Sequence, residues 1–245
     1  MINDLMLLAG SDIPFEGAQL TIHQPTIKEI GYIGEEAFFT GVEYLKFSKD
    51  VLKEEDRINL ESYTDFDILM SMIGQKQNMD MQKIKVCMEM VLTLIFPNYQ
   101  ISFDKGKIII QQDDNQHFID GNNFDEFKKI IHNMFNMDGE PEDAYNPSGQ
   151  LASKIAEKLK KRRQQLMEAK DMPDQKISIL NRYISILVVG EQKDMNDFMN
   201  YTPYQLFDEF RRYELKIQYD MYIQAKMAGA KDVEEVEDWM KDLHP

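Results

Sequence analysis

The sequence predicts a mainly α-helical α+β fold, with one small antiparallel β-hairpin or sheet and a helical C-terminal region. Three observations predict it. Several stretches carry apolar residues at helical spacing behind capping residues. One stretch, residues 99–110, switches to a period of two. Finally, 43% hydrophobic residues supply a core while 29% charged residues supply its solvated faces.

In chain order, Ala18 to Gln24 alternates apolar and polar residues and reads as a short strand, closed because Pro25 forces Gln24 to be extended. Thr26 with Glu29 has capping-box spacing, which predicts a helix from there through about Tyr44. Gly31, Gly34 and Gly41 weaken it and, beside Phe38, Phe39, Val42 and Leu45, point to close packing on another element. Residues 46–62 are charged and read as a loop with at most one helical turn. Thr64 and Asp67 then open another helix, containing Ile68, Leu69, Met72 and Ile73. Residues 79–96 form a strongly apolar helix ended by Pro97, expected to be buried on most sides.

Tyr99, Ile101 and Phe103 alternate before a turn at Lys105 and Gly106, and Lys107 to Ile110 follow. A two-residue loop pairs Phe103 with Ile108 and Ile101 with Ile110 on one face. His117 to Ile119 adds a short third strand. Asn123 and Glu126 have the spacing to cap a helix over residues 124–135, with Phe127, Ile130, Ile131 and Met134 as its stripe.

Gly139, Pro141 and Pro147 mark a linker at 138–148, dividing an α+β lobe (1–137, hairpin 99–112) from a helical lobe (149–245). The latter opens with a helix carrying seven basic residues over 152–170 against Glu157 and Glu168. An apolar helix spans 177–189. Thr202, Pro203 and Gln205 then supply an N-cap, a first-turn proline and a capping-box partner for a helix of about 39 Å running to Ala228, with Gly229 as its stop. Leu206, Phe210, Tyr213, Ile217 and Met221 make one apolar seam along it, and Phe207, Tyr219 and Tyr222 widen it. A last helix from Asp232 carries the single tryptophan, Trp239.

Chemistry is sparse. The single cysteine, Cys87, lies in an apolar run and excludes an internal disulfide and a cysteine-based zinc site. His23, His117, His132 and His244 are scattered without metal-ligand spacing. The acidic stretches around Asp113 and Asp120 lack the order of a calcium loop. No GxGxxG, Walker or GxSxG pattern occurs. The expectation is therefore no enzyme, no cofactor and no metal. The absence of a basic n-region and of an apolar run near 20 residues predicts no signal peptide, no membrane span and a cytoplasmic location.

Two features point to binding. The basic patch Lys154, Lys158, Lys161 and Arg162 offers phosphate contacts, yet it lacks interleaved aromatics, and a net charge of −15 opposes nucleic-acid binding. The reading favoured there is a solvated face pairing with the acidic remainder of the chain. The long helix from Pro203 is rich in Tyr, Phe and Arg, types enriched at protein interfaces. By type and helix face, Tyr204, Phe207, Arg211, Tyr219 and Tyr222 are the candidate protein-binding residues. An ordinary core helix is the competing reading.

The stretch Leu20-Thr-Ile-His-Gln-Pro-Thr-Ile-Lys-Glu-Ile30 resembles the opening of tail-assembly proteins of phages and prophages of Gram-positive hosts. So do Tyr204-Gln-Leu-Phe-Asp-Glu-Phe-Arg-Arg-Tyr213, Tyr222-Ile-Gln-Ala-Lys-Met-Ala-Gly-Ala-Lys231 and Trp239-Met-Lys-Asp-Leu243. The likeness is one of texture rather than of a diagnostic motif. It implies a non-catalytic tail or baseplate assembly chaperone or morphogenesis factor, whose partners are phage tail or baseplate proteins or further copies of the chain. A structural component of the tail or baseplate and a nucleic-acid-binding phage regulator are the alternatives. The implied location is the host cytoplasm or the virion.

Overall fold

The computed structural model describes residues 3–52, 60, 62–75, 77–104, 106–135, 178–229, 236 and 238–240. The linker expected at 138–148 and the basic helix after it lie outside these residues, as does most of the helix expected from Asp232. The described part is mostly helical, with one two-stranded and one three-stranded antiparallel sheet.

The chain opens with a short helix, α1 (Asp4–Leu8), and a strand, β1 (Ile13–Phe15), neither of which the sequence announced. After one 3-10 turn, β2 (Leu20–Ile22) returns against β1 with Phe15 opposite Leu20 and Ile13 opposite Ile22. Alternate side chains of both strands point into the core: Ile13, Phe15, Leu20 and Ile22 are buried.

The single helix expected from Thr26 to Tyr44 is two: α2 (Ile27–Ile33) and α3 (Glu35–Leu45). Gly34 at φ +85° cannot continue an α-helix, so the chain turns there and restarts. The Thr26 and Glu29 capping box does form, with Thr26 N–H donating to Glu29 Oε2 at 2.7 Å. Of the glycines expected in close packing, Gly41 qualifies and Gly31 faces open space. A Cβ on Gly41 would stand 2.5 Å from the Cys87 carbonyl oxygen, so α3 lies tight against α5 (Met79–Ile95).

Between them, α4 (Asp65–Ile73) starts at the expected Thr64 and Asp67 capping box. Helix α5 departs from expectation. Met88, Val91, Leu92 and Ile95 are buried, but Met79, Val86 and Met90 are exposed, so only one face enters the core. High mean apolarity predicted envelopment; the body supplies neighbours on one side. Cys87 is half-buried, and burial together with the Glu36 carboxylate pushes its thiol up, away from the nucleophilic form.

Strands β3 (Gln100–Asp104), β4 (Lys107–Gln112) and β5 (Asn115–Ile119) form a meander in the predicted register, Phe103 opposite Ile108 and Ile101 opposite Ile110. Helix α6 (Phe124–Met134) buries Phe127, Ile130, Ile131 and Met134 as its spacing requires. Its cap is not the expected one. Asn123 donates instead to the carbonyls of Gly17 and Phe118, and Glu126 accepts the N–H groups of Glu16 and Gly17. Both polar residues stitch α6 to the β1–β2 turn, a long-range use that overrides local capping.

Aromatic contacts run through the core: Phe15 with Phe127, Phe66 with Phe124, and Phe38 with Phe135, at centroid distances of 5.6, 5.0 and 5.2 Å. Each fully buried ring contributes about 1.5–3 kcal/mol of hydrophobic stabilisation. Asp65 and Lys128 form a mostly buried ion pair 2.5 Å apart that joins α4 to α6.

The last described elements are α7 (Ile179–Glu191), α8 (Met195–Met199) and α9 (Pro203–Met227). Leu180, Ile184, Leu187, Phe198 and Leu206 belong to the same buried cluster as the N-terminal residues. Glu35, at the start of α3, caps α7: its carboxylate accepts from the Ser178 hydroxyl and from the N–H groups of Ile179 and Leu180. A negative charge at a helix N-terminus also complements the helix dipole.

Candidate protein-binding surface

Helix α9 begins as the sequence predicts. Thr202 Oγ1 accepts from Gln205 N–H, Gln205 Oε1 accepts from Thr202 N–H at 2.8 Å, and Pro203 occupies the first turn. Gln205 also reaches out, donating from Nε2 to the Leu8 carbonyl of α1 at 2.7 Å. One residue before the cap, the Tyr201 carbonyl accepts from Ile27 N–H at the head of α2. The root of α9 is thus pinned to two N-terminal helices by backbone and capping groups.

Side chains complete the seat. Leu206 is fully buried. The Tyr183 ring of α7 stacks on Phe210 at 4.1 Å and meets Phe207 edge-on at 5.4 Å. Tyr213 lies over Gly190, where a Cβ would come within 2.1 Å of its hydroxyl oxygen. Tyr204 is half-buried, and burial together with the Asp4 and Asp208 carboxylates pushes its phenol up to about 12.

Charge is concentrated at the corner between α7 and α9. Lys193 Nζ lies 2.8 Å from Glu191 Oε2 and also donates to Glu209 Oε1, while Tyr201 Oη donates to Glu209 Oε2 at 3.4 Å. Burial pushes Glu191 up and its neighbour Glu209 adds to that, so Glu191 titrates above the usual carboxylate range despite Lys193. Burial acts on Glu209 in the same direction, but Lys193, Glu191 and Tyr201 outweigh it and hold Glu209 low. Lys193 is held well above its usual range, since its two carboxylates overcome the effect of burial.

Past Tyr213 the same helix leaves its seat. The apolar seam continues through Ile217, 39% exposed, and Met221, 65% exposed. Arg211 is exposed, whereas Tyr219 and Tyr222 are half-buried and touch each other at 6.5 Å. Lys226 lies over the Tyr222 ring. On the far side from Ile217, Arg212 donates to the Trp239 carbonyl at 2.7 Å. The five sequence candidates therefore divide. Tyr204 and Phe207 belong to the root, Tyr219 and Tyr222 to the projecting half, and Arg211 lies between. Sequence reasoning placed Ile217 and Met221 on the seam but not in solvent, because spacing names a face without saying what covers it. It also passed over the Glu191, Lys193 and Glu209 cluster, whose third member lies 16 residues beyond Lys193 and which matches no motif.

Elsewhere, a cleft of about 330 Å³ is lined by Ile13, Pro14, Glu16, Glu126, Lys129 and Ile130. Its Glu126 carboxylate is engaged by two backbone N–H groups. A second cleft, of about 260 Å³, contains Asp65, engaged by Lys128 and by Lys49 N–H. His23 faces Asp12 and Glu29, and His117 Nδ1 lies 2.8 Å from the Ala18 carbonyl. Among the described residues no group of three or more His, Cys, Asp or Glu could hold a metal ion. None of the described helices is long and apolar enough to cross a membrane. The basic candidates Lys154, Lys158, Lys161 and Arg162 lie outside the described residues.

Residues 172–244 match the family model of the YomV second domain, a phage- and prophage-associated family. The match takes in α7, α8 and α9 and covers just under a third of the chain. No curated protein and no solved structure matches the chain.

Proposed function

We propose that the chain is a non-enzymatic phage morphogenesis factor, a tail or baseplate assembly chaperone, that holds a protein partner on the projecting half of α9. The observation that carries this reading is a helix rigidly rooted in the core whose apolar seam runs on into solvent at Ile217 and Met221. Burying such a seam on a partner is favourable at about 25 cal/mol per Å², and Met adapts to irregular surfaces. The phage-associated family match covers this helix, and an acidic net charge of −15 suits keeping an apolar or basic client soluble.

Tagged wild type and the Ile217→Asp, Met221→Asp double variant, expressed in phage-producing cells, test this by pull-down and by quantitative mass spectrometry of lysate against purified particles. The expected result is a protein abundant in lysate and missing from particles, and a tail or baseplate protein captured by wild type alone. Stoichiometric presence in particles would instead make it a permanent tail component. Equal capture by the double variant would remove the projecting seam as the contact.

A further inference from the structure

We propose that the corner where α7 meets α9 is a proton-operated clamp: one proton shared between Glu191 and Glu209 beside the Lys193 ammonium fastens the root of α9 to the end of α7, and its departure as pH rises loosens that root. The proposal stands whether or not α9 binds a partner.

The cluster is assembled from three elements. Glu191 ends α7, and Gln192 follows at φ 57°, a left-handed residue that reverses the chain so that Lys193 returns toward it. Glu209 comes from the second turn of α9, and Tyr201 from the segment between α8 and α9. The side chains of Glu191, Lys193 and Glu209 are only 23%, 37% and 26% exposed. Together with Tyr201 they are the titratable groups that act at the two carboxylates. The neighbouring Asp194 is engaged in capping α8 through Asn196 N–H at 2.8 Å.

Two carboxylates around one ammonium leave a net charge of −1 when both are ionised and zero when one proton remains. In a half-buried site the neutral arrangement is favoured. With the proton present, Lys193 donates to Glu209 Oε1 and lies 2.8 Å from Glu191 Oε2, and the neutral Glu191 carboxyl adds no second negative charge beside them. When buffer removes that proton, two anions repel across the α7–α9 joint, beside the contact of Tyr213 on Gly190. Because Glu191 is raised on folding, its contribution is complete below its unfolded value and is lost as pH rises through its folded value. Glu209 is lowered, so its contribution is lost at the opposite end, as pH falls through its own folded value.

The experiment is a carboxyl 13C titration of the full chain, combined with hydrogen exchange of residues 186–214 from about pH 5 to about pH 8, corrected for intrinsic rates. The Glu191 carboxyl should titrate above the ordinary carboxylate range and Glu209 below it. Protection of the corner should fall about threefold or more as pH rises. In Glu191→Gln, a permanent mimic of the protonated form, that protection should stay at its low-pH level throughout. A wild-type corner indifferent to pH, or a variant with the wild-type slope, overturns the proposal. Should the variant fail to fold, an ordinary titration of Glu191 in the unaltered chain overturns it equally.

Discussion

The two halves of α9 obey one sequence pattern and have opposite fates. Leu206, Phe210 and Tyr213 close on α7 and α1, while Ile217 and Met221, continuing the same seam, face solvent. The difference is not in the helix but in its neighbours: α7, whose Tyr183 and Gly190 seat the root, ends at Glu191. Amphipathicity therefore fixes the direction a helix presents to a partner, and the rest of the fold decides whether that partner is the protein itself.

The sharpest way to break the comparison is to truncate one residue in each half. Leu206→Ala should destabilise the protein by about 2–5 kcal/mol, the usual cost of a cavity at a fully buried leucine. Met221→Ala should shift stability by no more than about 0.5 kcal/mol. Parallel urea titrations measure both, and comparable losses would mean that the distal seam is core after all.

An intermediate effect is expected where the root's support is itself anchored. Glu35→Ala removes the carboxylate from the head of α7 but leaves Ser178 Oγ on Asn181 N–H, and should cost about 1 kcal/mol, with faster amide exchange at residues 179–182 than at 205–210. Uniform acceleration of both segments would show that α7 and α9 open as one unit.

The smallest net change belongs to Gly190→Ala. The added methyl displaces the Tyr213 ring, yet an alanine in a helix gains up to about 1 kcal/mol over glycine, so overall stability should stay within about 1 kcal/mol of wild type. The ring shift should nevertheless be visible in the aromatic resonances of Tyr213. An unmoved ring would show that the helices part instead.

Legibility in the sequence followed the range of the interactions. The capping boxes at Thr26, Thr64 and Thr202 span three residues each, and all three formed. The hairpin register was equally plain, since a two-residue turn leaves little choice of partners. What escaped was set at a distance. Strand β1 exists because β2 pairs with it, and Asn123 abandons its cap for carbonyls such as that of Gly17. The break at Gly34 was hidden by a continuous apolar pattern, because glycine permits both a helix and its interruption. At the candidate surface, residue types singled out the right helix but could not sort Phe207, packed on Tyr183, from Met221, open to solvent.

The cap that Glu35 places on α7 joins residues far apart in the chain, and this has a consequence for timing. A ribosome delivers the N-terminal body first, and at about 5–20 residues per second the roughly seventy residues from Phe135 to Leu206 take on the order of several seconds. Throughout that interval α7 and α9 are not yet there to cover the part of the core they join. The rate of translation therefore sets how long that part of the core waits for its cover.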